Sequence, residues 1–317
     1  LPPWVVTPAS GDFLAYDGLV KSITYKTATN TWTSSDIVQN STAQSLAESV
    51  AVQALKVSAP LTVPAGMVLT NVTGGLILSS ATLDGSGTID SGTNDLIVYQ
   101  TGTPWINPAI SAPGLTVWGG GTLTVTNLTW SGDTFVHQGS LRTVLTQSTV
   151  LENRNINGLG EFIKDGPYTL ALINSTGTVG KITINGGGAL SINNSYYQLI
   201  NSFGFGNSDS GLIVSNSYAG TRASILTGTG KTNIVIYVLG TGLANQSTVL
   251  DCGDFGMYVG VDNGLGNRLL VDGKGITGGA KITGISDSKN VGFAVGRGVN
   301  SSSNEVVVAN GGEIWDY

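Results

Sequence analysis

The strongest constraint in this sequence is an internal repeat in its C-terminal third. The segments Gly256–Gly260 and Gly292–Gly296 both follow the pattern G-x-x-V-G and lie 36 residues apart. Each copy leads through a polar loop to an Asn, one further residue and an apolar run, in Asn267–Val271 and Asn304–Val308, where the offset is 37. Weaker matches elsewhere are 20 and 34 residues apart, so the offsets fit multiples of about 17–20 residues. Such a period predicts stacked coils, because each repeat buries its apolar side chains only against its neighbours.

Short runs of Val, Ile, Leu and Thr, separated by Gly, Asn, Asp and Ser, occur along the whole chain. They are typical of β-strands bounded by turns. Strands are predicted at 61–63, 75–80, 96–100, 122–126, 181–184, 233–238, 268–271 and 305–308. One helix is expected near 42–49, because Ser41 and Gln44 fit a capping box and 42–57 lacks Gly and Pro, although 50–57 also reads as a strand.

The composition agrees with a stack of β-coils. Gly accounts for 46 of the 317 residues, only 11% are charged, and 40% are hydrophobic. Disorder is excluded, because disordered chains combine high net charge with low hydrophobicity. We predict an all-β solenoid of parallel coils over residues 41–317, with residues 1–40 as a short N-terminal capping or extension segment.

A second, looser repeat marks a corner of the predicted coils. GGGTLTVTN at 119–127 aligns with GPYTLALIN at 166–174, an offset of 47. The alternation of apolar residues changes parity at Asn127, because Leu123 and Val125 precede it whereas Leu128 and Trp130 follow it. A strand exchanges its faces only at a bulge or a corner, so a corner is predicted at Asn127.

These segments resemble the autotransporter-associated β-strand repeat of bacterial surface proteins. The matching residues are Gly114–Thr116, Gly119–Val125, Trp130–Gly132, Gly139–Leu141, Phe162–Gly166, Leu170–Leu172 and Gly180–Leu190. The resemblance extends loosely over most of 43–317, whereas residues 1–40 have no counterpart in it. It implies a right-handed parallel β-helix, secretion, and a passenger or stalk role at the cell surface. It carries over no catalytic residue.

Charge and apolar patterning exclude two classes of partner. The formal net charge is −6, the pI is about 4.6, and the 14 basic residues are scattered singly, which disfavours nucleic acid and anionic membranes. No apolar run reaches the roughly 20 residues of a membrane-spanning helix. The chain opens LPPWVVTP without an initiator Met or a signal peptide, which suggests a processed, secreted protein. The single Cys252 is expected to be a small buried residue, with an intermolecular disulfide as the alternative.

Few residues suggest chemistry. His137 is the only histidine, and no Cys or second His lies near it, so it is expected to be a surface or corner residue rather than a metal ligand or, with Asp133, a catalytic base. The densest group of acids is Asp251, Asp254 and Asp262, with Arg268 and Asp272 beyond it. Solvated turns are the favoured interpretation of this group, with cation binding and catalysis as alternatives.

Two further acids, at positions 84 and 90, are candidates for a calcium-binding loop. Asp84 and Asp90 enclose a Gly-rich stretch that is interpreted as a turn rather than as a calcium loop. We therefore expect no catalytic residue, no metal site, no cofactor and no enzymatic activity.

The predicted function is structural. A solenoid has unpaired strand edges at its ends, and such edges pair with other chains. We expect copies of this chain to assemble head to tail into an extracellular filament or sheath, through the aromatic Trp4–Tyr25 region of one copy and the C-terminal coil Glu305–Tyr317 of the next. The strand-like stretch Leu19–Tyr25 would then be added to the neighbouring copy. The competing interpretation is that residues 1–40 cap their own chain.

Two other functions remain open from the sequence. A monomeric adhesin or stalk that binds glycans would need exposed aromatic ladders, for which Tyr196, Tyr197 and Trp105 are the candidates. A polysaccharide lyase or hydrolase would need clustered acids together with a basic residue in a groove.

Overall fold

A computed structural model describes residues 5–7, 11–16, 20–27, 31–222, 225–226, 229–253, 256–285 and 293–316. These residues form short β-strands and no α-helix, which confirms the all-β prediction. Residues 1–144 and 145–317 form two compact units. In each unit the strands stack in parallel as the coils of a β-solenoid.

The first unit begins with a small antiparallel sheet. Its three strands are β1 (Val6–Thr7), β2 (Asp12–Tyr16) and β3 (Val20–Ser22), with Val6 opposite Phe13 and Leu14 opposite Ser22. The strand expected at 19–25 is therefore present in part, and Leu19 lies outside the described residues. Lys26 then forms a parallel bridge with Val38 of the first coil.

The coils of the first unit contain sixteen described strands. They are β4 (Ile37–Asn40), β5 (Gln44–Ser45), β6 (Val50–Val52), β7 (Ala54–Val57), β8 (Leu61–Thr62), β9 (Val68–Asn71), β10 (Gly75–Ser79), β11 (Leu83–Asp84), β12 (Thr88–Asp90), β13 (Leu96–Thr101), β14 (Trp105–Ile106), β15 (Ala109–Ser111), β16 (Leu115–Trp118), β17 (Thr122–Val125), β18 (Thr134–Val136) and β19 (Ser140–Val144).

These strands form three parallel stacks. The first contains β4, β7, β10, β13, β16 and β18, the second β5, β8, β11, β14, β17 and β19, and the third β6, β9, β12 and β15. Side chains on one face of each stack point into the coil. In the first stack the inward column is Leu55, Leu76, Val98, Val117 and Val136, all essentially inaccessible to solvent. Burying each aliphatic side chain stabilises the fold by about 1.5–3 kcal/mol, so the column is a substantial part of the core.

The second unit contains eighteen described strands. They are β20 (Thr149–Glu152), β21 (Ile156–Asp165), β22 (Leu170–Ile173), β23 (Thr176–Ile184), β24 (Ala189–Asn193), β25 (Tyr196–Leu199), β26 (Phe203–Phe205), β27 (Gly211–Ser215), β28 (Tyr218–Gly220), β29 (Ile225–Leu226), β30 (Val235–Leu239), β31 (Thr248–Asp251), β32 (Met257–Val261), β33 (Arg268–Asp272), β34 (Ala280–Ile285), β35 (Phe293–Arg297), β36 (Glu305–Ala309) and β37 (Gly312–Asp316).

One stack of the second unit contains β20, β22, β24, β27, β30, β33 and β36. A second runs from β21 through β23, β25, β28, β31 and β34 to β37, and β26 also pairs with β23. The third contains β29, β32 and β35. The inward column of the first stack is Leu151, Leu172, Ile192, Val214, Val238 and Val271, again almost fully buried.

The length of a coil varies along this unit. Consecutive inward residues are 20 residues apart between Leu172 and Ile192, but 37 apart between Val271 and Val308. The repeat of 36–37 residues therefore spans a single long coil, not two coils of 17–20 residues as the offsets suggested. Val259 pairs directly with Val295, so 257–260 and 293–296 of the two G-x-x-V-G segments lie on neighbouring rungs.

The repeated motif residues have physical roles. Gly260 and Gly296 end the two G-x-x-V-G segments and have φ of 79° and 69°, a left-handed conformation that favours glycine. The repeated Asn forms a ladder between coils. Asn267 Oδ1 accepts the Ile234 amide at 2.9 Å, and Asn304 Oδ1 accepts the Asn267 amide at 3.0 Å. These bonds satisfy buried backbone donors where the chain turns.

Two local predictions have opposite outcomes. The helix near 42–49 is wrong, because Gln44–Ser45 forms β5 and pairs with Leu61–Thr62 of the next coil. The capping-box pattern was outweighed by this pairing between coils, as tertiary contacts commonly outweigh local preference. The corner at Asn127 is confirmed, because β17 ends at Val125 and Asn127 Nδ2 donates to the Asn107 carbonyl at 2.6 Å.

Candidate functional site

The most distinctive surface of the second unit is built from a repeated corner. Asn174-Ser175-Thr176, Asn194-Ser195-Tyr196 and Asn216-Ser217-Tyr218 occupy the same corner of three successive coils. The three Asn residues have φ of 52°, 48° and 47°. Asn tolerates this left-handed conformation better than most residues, which explains its recurrence at the turn.

The side chains of the three asparagines form an exposed ladder. Asn194 Nδ2 donates to Asn174 Oδ1 at 2.6 Å, and Asn216 Nδ2 donates to Asn194 Oδ1 at 2.9 Å. Asn174 Nδ2 in turn donates to Glu152 Oε1 at 3.2 Å. Asn174 and Asn194 thus each use one donor and one acceptor in these bonds, whereas Asn216 uses one donor. A primary amide offers two N–H donors and an oxygen with two lone pairs, so each side chain keeps further hydrogen-bonding capacity.

The serines hold the corner from the buried side. The backbone amides of Ser175 and Ser195 each donate to the hydroxyl of the serine in the next coil, at 3.0 Å in both cases. The hydroxyls of Ser195 and Ser217 donate hydrogen bonds to the carbonyls of Asn193 and Ser215, both at 2.7 Å. The three corners are therefore locked to one another.

Two tyrosines follow these corners and form an aromatic stack. Tyr196 pairs in register with Tyr218, and their rings lie 4.8 Å apart with an interplanar angle of 12°. Half of the Tyr196 surface is exposed, at 50%. The Tyr218 ring reaches over Gly220, where an added Cβ would lie 2.6 Å from the Tyr218 hydroxyl oxygen.

The Tyr218 hydroxyl is anchored at its far end. It donates to Asp251 Oδ2 at 2.7 Å, with Gln198 Oε1 at 3.3 Å. Burial, followed by the hydrogen bond to Asp251, raises the pKa of Tyr218 well above its usual range. The phenol therefore stays neutral and fixed in orientation.

Together these residues enclose a shallow depression of about 510 Å³, which we call the Asn–Ser–Tyr groove. Its lining consists of Asn174, Ser175, Thr176, Asn194, Ser195, Tyr196, Asn216, Ser217, Tyr218 and Ser247. These residues carry amide, hydroxyl and aromatic groups, and none of them is charged. Such a surface can stack against the C–H face of a sugar ring and hydrogen-bond its hydroxyls.

A different surface lies on the outer face of the first stack of the first unit. Its outward side chains Tyr99, Trp118, Phe135 and His137 form what we call the aromatic wall. Trp118 and His137 are stacked with centroids 4.6 Å apart, and Phe135 and His137 with centroids 6.0 Å apart. Trp118 is 45% exposed.

The N-terminal sheet covers part of the same outer face, including Tyr99 of the aromatic wall. Phe13 is buried against Ala54 and Ile77, with Tyr25 and Tyr99 packed around them. Lys56 forms an ion pair with Asp12 and lies 5.5 Å from the centre of the Tyr25 ring. The Tyr25 hydroxyl donates to Asp12 at 3.2 Å and accepts the Phe13 amide at 3.0 Å. Residues of the 1–40 segment are thus engaged with their own chain.

The structure places His137 on this wall, exposed as expected. Its amide donates to the Val117 carbonyl at 3.0 Å, which continues the pairing of β16 and β18. Asp133 lies just before β18, and its carbonyl accepts the Leu115 amide at 3.0 Å. The rings that flank His137 are those of Trp118 and Phe135, which contact it by stacking.

Of the acids that the sequence grouped, Asp251 lies on β31, Asp262 directly after β32 and Asp272 on β33, and these three bind different partners. Asp251 holds Tyr218, and Asp262 accepts the Val299 amide at 3.1 Å. Asp272 pairs with Lys274 at 2.9 Å, which lowers the pKa of Asp272. Arg268 pairs with Glu305 at 3.0 Å. Asp254 lies outside the described residues.

The remaining candidates have structural partners. Hydrogen bonds from Asn107 and the Gly85 amide lower the pKa of Asp84, and Asp90 accepts the Gly92 amide at 3.0 Å, so both stabilise turns. Cys252 is buried, and burial raises its pKa to about 12. In the described part of the chain, no three His, Cys, Asp or Glu side chains are placed to share a metal ion.

Sequence reasoning found one tyrosine of the groove and missed its partner. Tyr196 is exposed as the adhesin hypothesis requires, whereas Tyr197 is fully buried and Trp105 is an exposed residue of β14. Tyr218 was not singled out. The signal that marks it is the tripeptide Asn-Ser-Tyr, which occurs at 194–196 and again at 216–218.

Comparison of the chain with protein-family models, with curated proteins and with solved structures finds no match. Within the described residues, no helix has the length and apolar character needed to cross a membrane.

Proposed function

We propose that this chain is a secreted or cell-surface β-solenoid that serves as a stalk and binds neutral polysaccharide along the Asn–Ser–Tyr groove. The observation that carries the proposal is the exposed stack of Tyr196 on Tyr218 beside the ladder of Asn side chains. Aromatic rings with a few fixed polar groups are the usual composition of small-molecule and sugar sites.

The charge of the surroundings favours a neutral ligand. The groove lining carries no charged residue among those described, and the nearby carboxylate of Asp251 is held 2.7 Å from the Tyr218 hydroxyl. A polyanion would approach this carboxylate and a chain with a net charge of −6. Neutral glucans or mannans therefore fit the groove better than acidic polysaccharides.

Affinity electrophoresis and calorimetry with neutral and acidic polysaccharides test the proposal. Tyr196→Ala is expected to weaken binding of the neutral polysaccharide about tenfold or more, because it removes the exposed ring. Tyr168→Ala is the matched control, since Tyr168 is 42% exposed but lies outside the groove. Equal loss in both variants, or binding of acidic polysaccharides alone, contradicts the proposal.

Gly220→Ala probes the same site without removing an aromatic ring. The new Cβ would meet the Tyr218 hydroxyl and displace it from Asp251. Gly204→Ala is the control, because its Cβ would have its nearest neighbour at 3.3 Å, on the Thr183 hydroxyl. We expect weaker polysaccharide binding for Gly220→Ala and unchanged binding for Gly204→Ala.

Head-to-tail assembly is the second candidate, and the coil that contains β36 favours it. β36 is an edge strand of its stack. Val308 continues the inward column after Val271, yet it is 48% exposed where Val271 is fully buried. A half-exposed inward residue on an edge strand leaves a surface that a further coil would cover. A second copy of this chain is the occupant we propose.

The N-terminal half of this contact has a competing role. Phe13 and Tyr25 already pack on their own chain, so joining a second copy through Trp4–Tyr25 would first break those contacts; Trp4 itself lies outside the described residues.

Electron microscopy of the purified chain tests assembly. Val308→Lys should abolish filaments, whereas Val299→Lys, at a position that is 66% exposed outside the strands, should not. Filaments that persist in Val308→Lys contradict the role of the C-terminal coil. Undiminished filaments after deletion of residues 1–35 contradict the role of the N-terminal segment.

A further inference from the structure

An apolar cavity of about 520 Å³ lies between the N-terminal sheet and the aromatic wall, within the first unit. Val6 and Phe13 line it from the sheet, and Ile97, Tyr99 and Thr116 line it from the coils. The volume falls within the range of about 300–1,000 Å³ that is usual for small-molecule sites. It is therefore large enough for a ligand of two or three rings.

The lining of this cavity restricts the chemistry of a ligand. Among the described residues that line it, none carries a charge, and Thr116 and Gln138 are the polar side chains. Asp12, the neighbour of Phe13 in the sequence, is paired with Lys56, so these two charges compensate each other. An ionised ligand would lose its hydration without gaining a counter-charge, which is costly in an apolar site.

The rim adds an aromatic surface on one side. Trp118 lines the cavity and stacks on His137, so its indole ring has a fixed orientation. Gln138 is exposed beside it, and its side-chain amide can both donate and accept a hydrogen bond. A flat apolar group would rest against Trp118 with its polar end towards Gln138.

We propose that the cavity is a second binding site, which takes an uncharged, largely apolar small molecule with one hydrogen-bonding group. This site is independent of the Asn–Ser–Tyr groove in residues and in ligand chemistry. It requires the N-terminal sheet, because Val6 and Phe13 form one of its sides. The covering of the aromatic wall by residues of the 1–40 segment thereby creates a site as well as a cap.

Fluorescence titration of the intact chain with the uncharged dye N-phenyl-1-naphthylamine tests the proposal. We expect saturable binding at one site. Thr116→Phe fills the cavity and keeps a residue that suits a strand, so it should weaken binding about tenfold or more. Trp118→Ala should have an effect of the same direction. Trp105→Ala is the control, because Trp105 is 37% exposed in the same unit but does not line the cavity.

Thermal unfolding of each variant separates loss of the site from loss of the fold. Thr116→Phe with an unchanged melting temperature and lost dye binding supports the cavity. Absence of saturable binding to the unmodified chain overturns the proposal, as does undiminished binding by a folded Thr116→Phe. Loss of dye binding in Tyr196→Ala would also overturn it, because the dye would then occupy the Asn–Ser–Tyr groove.

Discussion

The aromatic wall of the first unit and the Asn–Ser–Tyr groove of the second are built on the same parallel stacking of strands, but they differ in how much of the surface is covered. Both are outer faces of parallel stacks, in which outward residues of successive coils align in columns. In the first unit the column Lys56, Ile77, Tyr99 and Trp118 is partly covered by the N-terminal sheet. In the second, Tyr196 and Tyr218 stay open beside polar corners. The parallel register aligns the outward side chains of successive coils. The identity of the residue on each strand then determines whether another segment packs on that face.

The two units also hold a buried lysine in different ways. Lys56 is paired with a carboxylate, Asp12, which is brought to it by the N-terminal sheet. The Lys164 ammonium is fully buried and donates to the Gly166 carbonyl at 2.6 Å. Burial lowers the pKa of Lys164 to about 8. Lys164 is thus a buried ammonium that donates to a backbone carbonyl, whereas Lys56 has a carboxylate as its direct partner.

We expect the largest change in stability when the packing of the N-terminal sheet on the coils is weakened. Phe13→Ala should weaken the attachment of the N-terminal sheet by about 3–5 kcal/mol, because Phe13 is almost fully buried against Ala54 and Ile77. Hydrogen exchange should accelerate in β1–β3 and leave the inward columns protected. Phe135→Ala, on the uncovered part of the same wall, is the control and should cost far less. Equal effects would show that the sheet is not held by this contact.

Breaking the amide ladder of the groove should have a smaller effect. Asn194→Ala removes the hydrogen bonds to Asn174 and Asn216 and forces Ala into a left-handed conformation, at a cost of about 1–2 kcal/mol. Asn194→Gly loses the same bonds but accepts the conformation, so it should be the more stable variant in denaturant unfolding. A less stable Gly variant would mean that the backbone conformation contributes little.

The pH dependence of stability tests the lowered pKa of Lys164. The folded-state pKa of Lys164 lies below its unfolded value, so above pH 8 the unfolded chain binds the additional proton and stability rises with pH. Between pH 8 and 9, the unfolding free energy of the unmodified chain should rise by about 1 kcal/mol relative to that of Lys164→Met. Taking this difference cancels the opposite contribution of Cys252, whose raised pKa lowers stability above pH 9. A constant difference would contradict the lowered pKa of Lys164.

The sequence pattern was sufficient for the architecture, because inward aliphatic columns and turn residues recur in every coil. It was misleading about coil length, since the connections between strands lengthen near the C-terminus without disturbing the pairing of Val259 with Val295. The groove was only half predictable. Tyr196 was visible as an aromatic residue, but its contact with Tyr218 depends on a register of 22 residues that the 36-residue repeat obscured. The cavity was not predictable, because it lies between segments far apart in the chain.

The constancy of register across coils of different length has a consequence for the evolution and design of such chains. The segment 196–217 carries one complete coil, from one stacked tyrosine to the residue before the next. A tandem duplication of this segment would insert a whole rung, add a third ring to the stack and lengthen the groove by about 4.8 Å, the spacing of adjacent strands. The length of the groove is therefore a quantity that gene duplication can change one coil at a time.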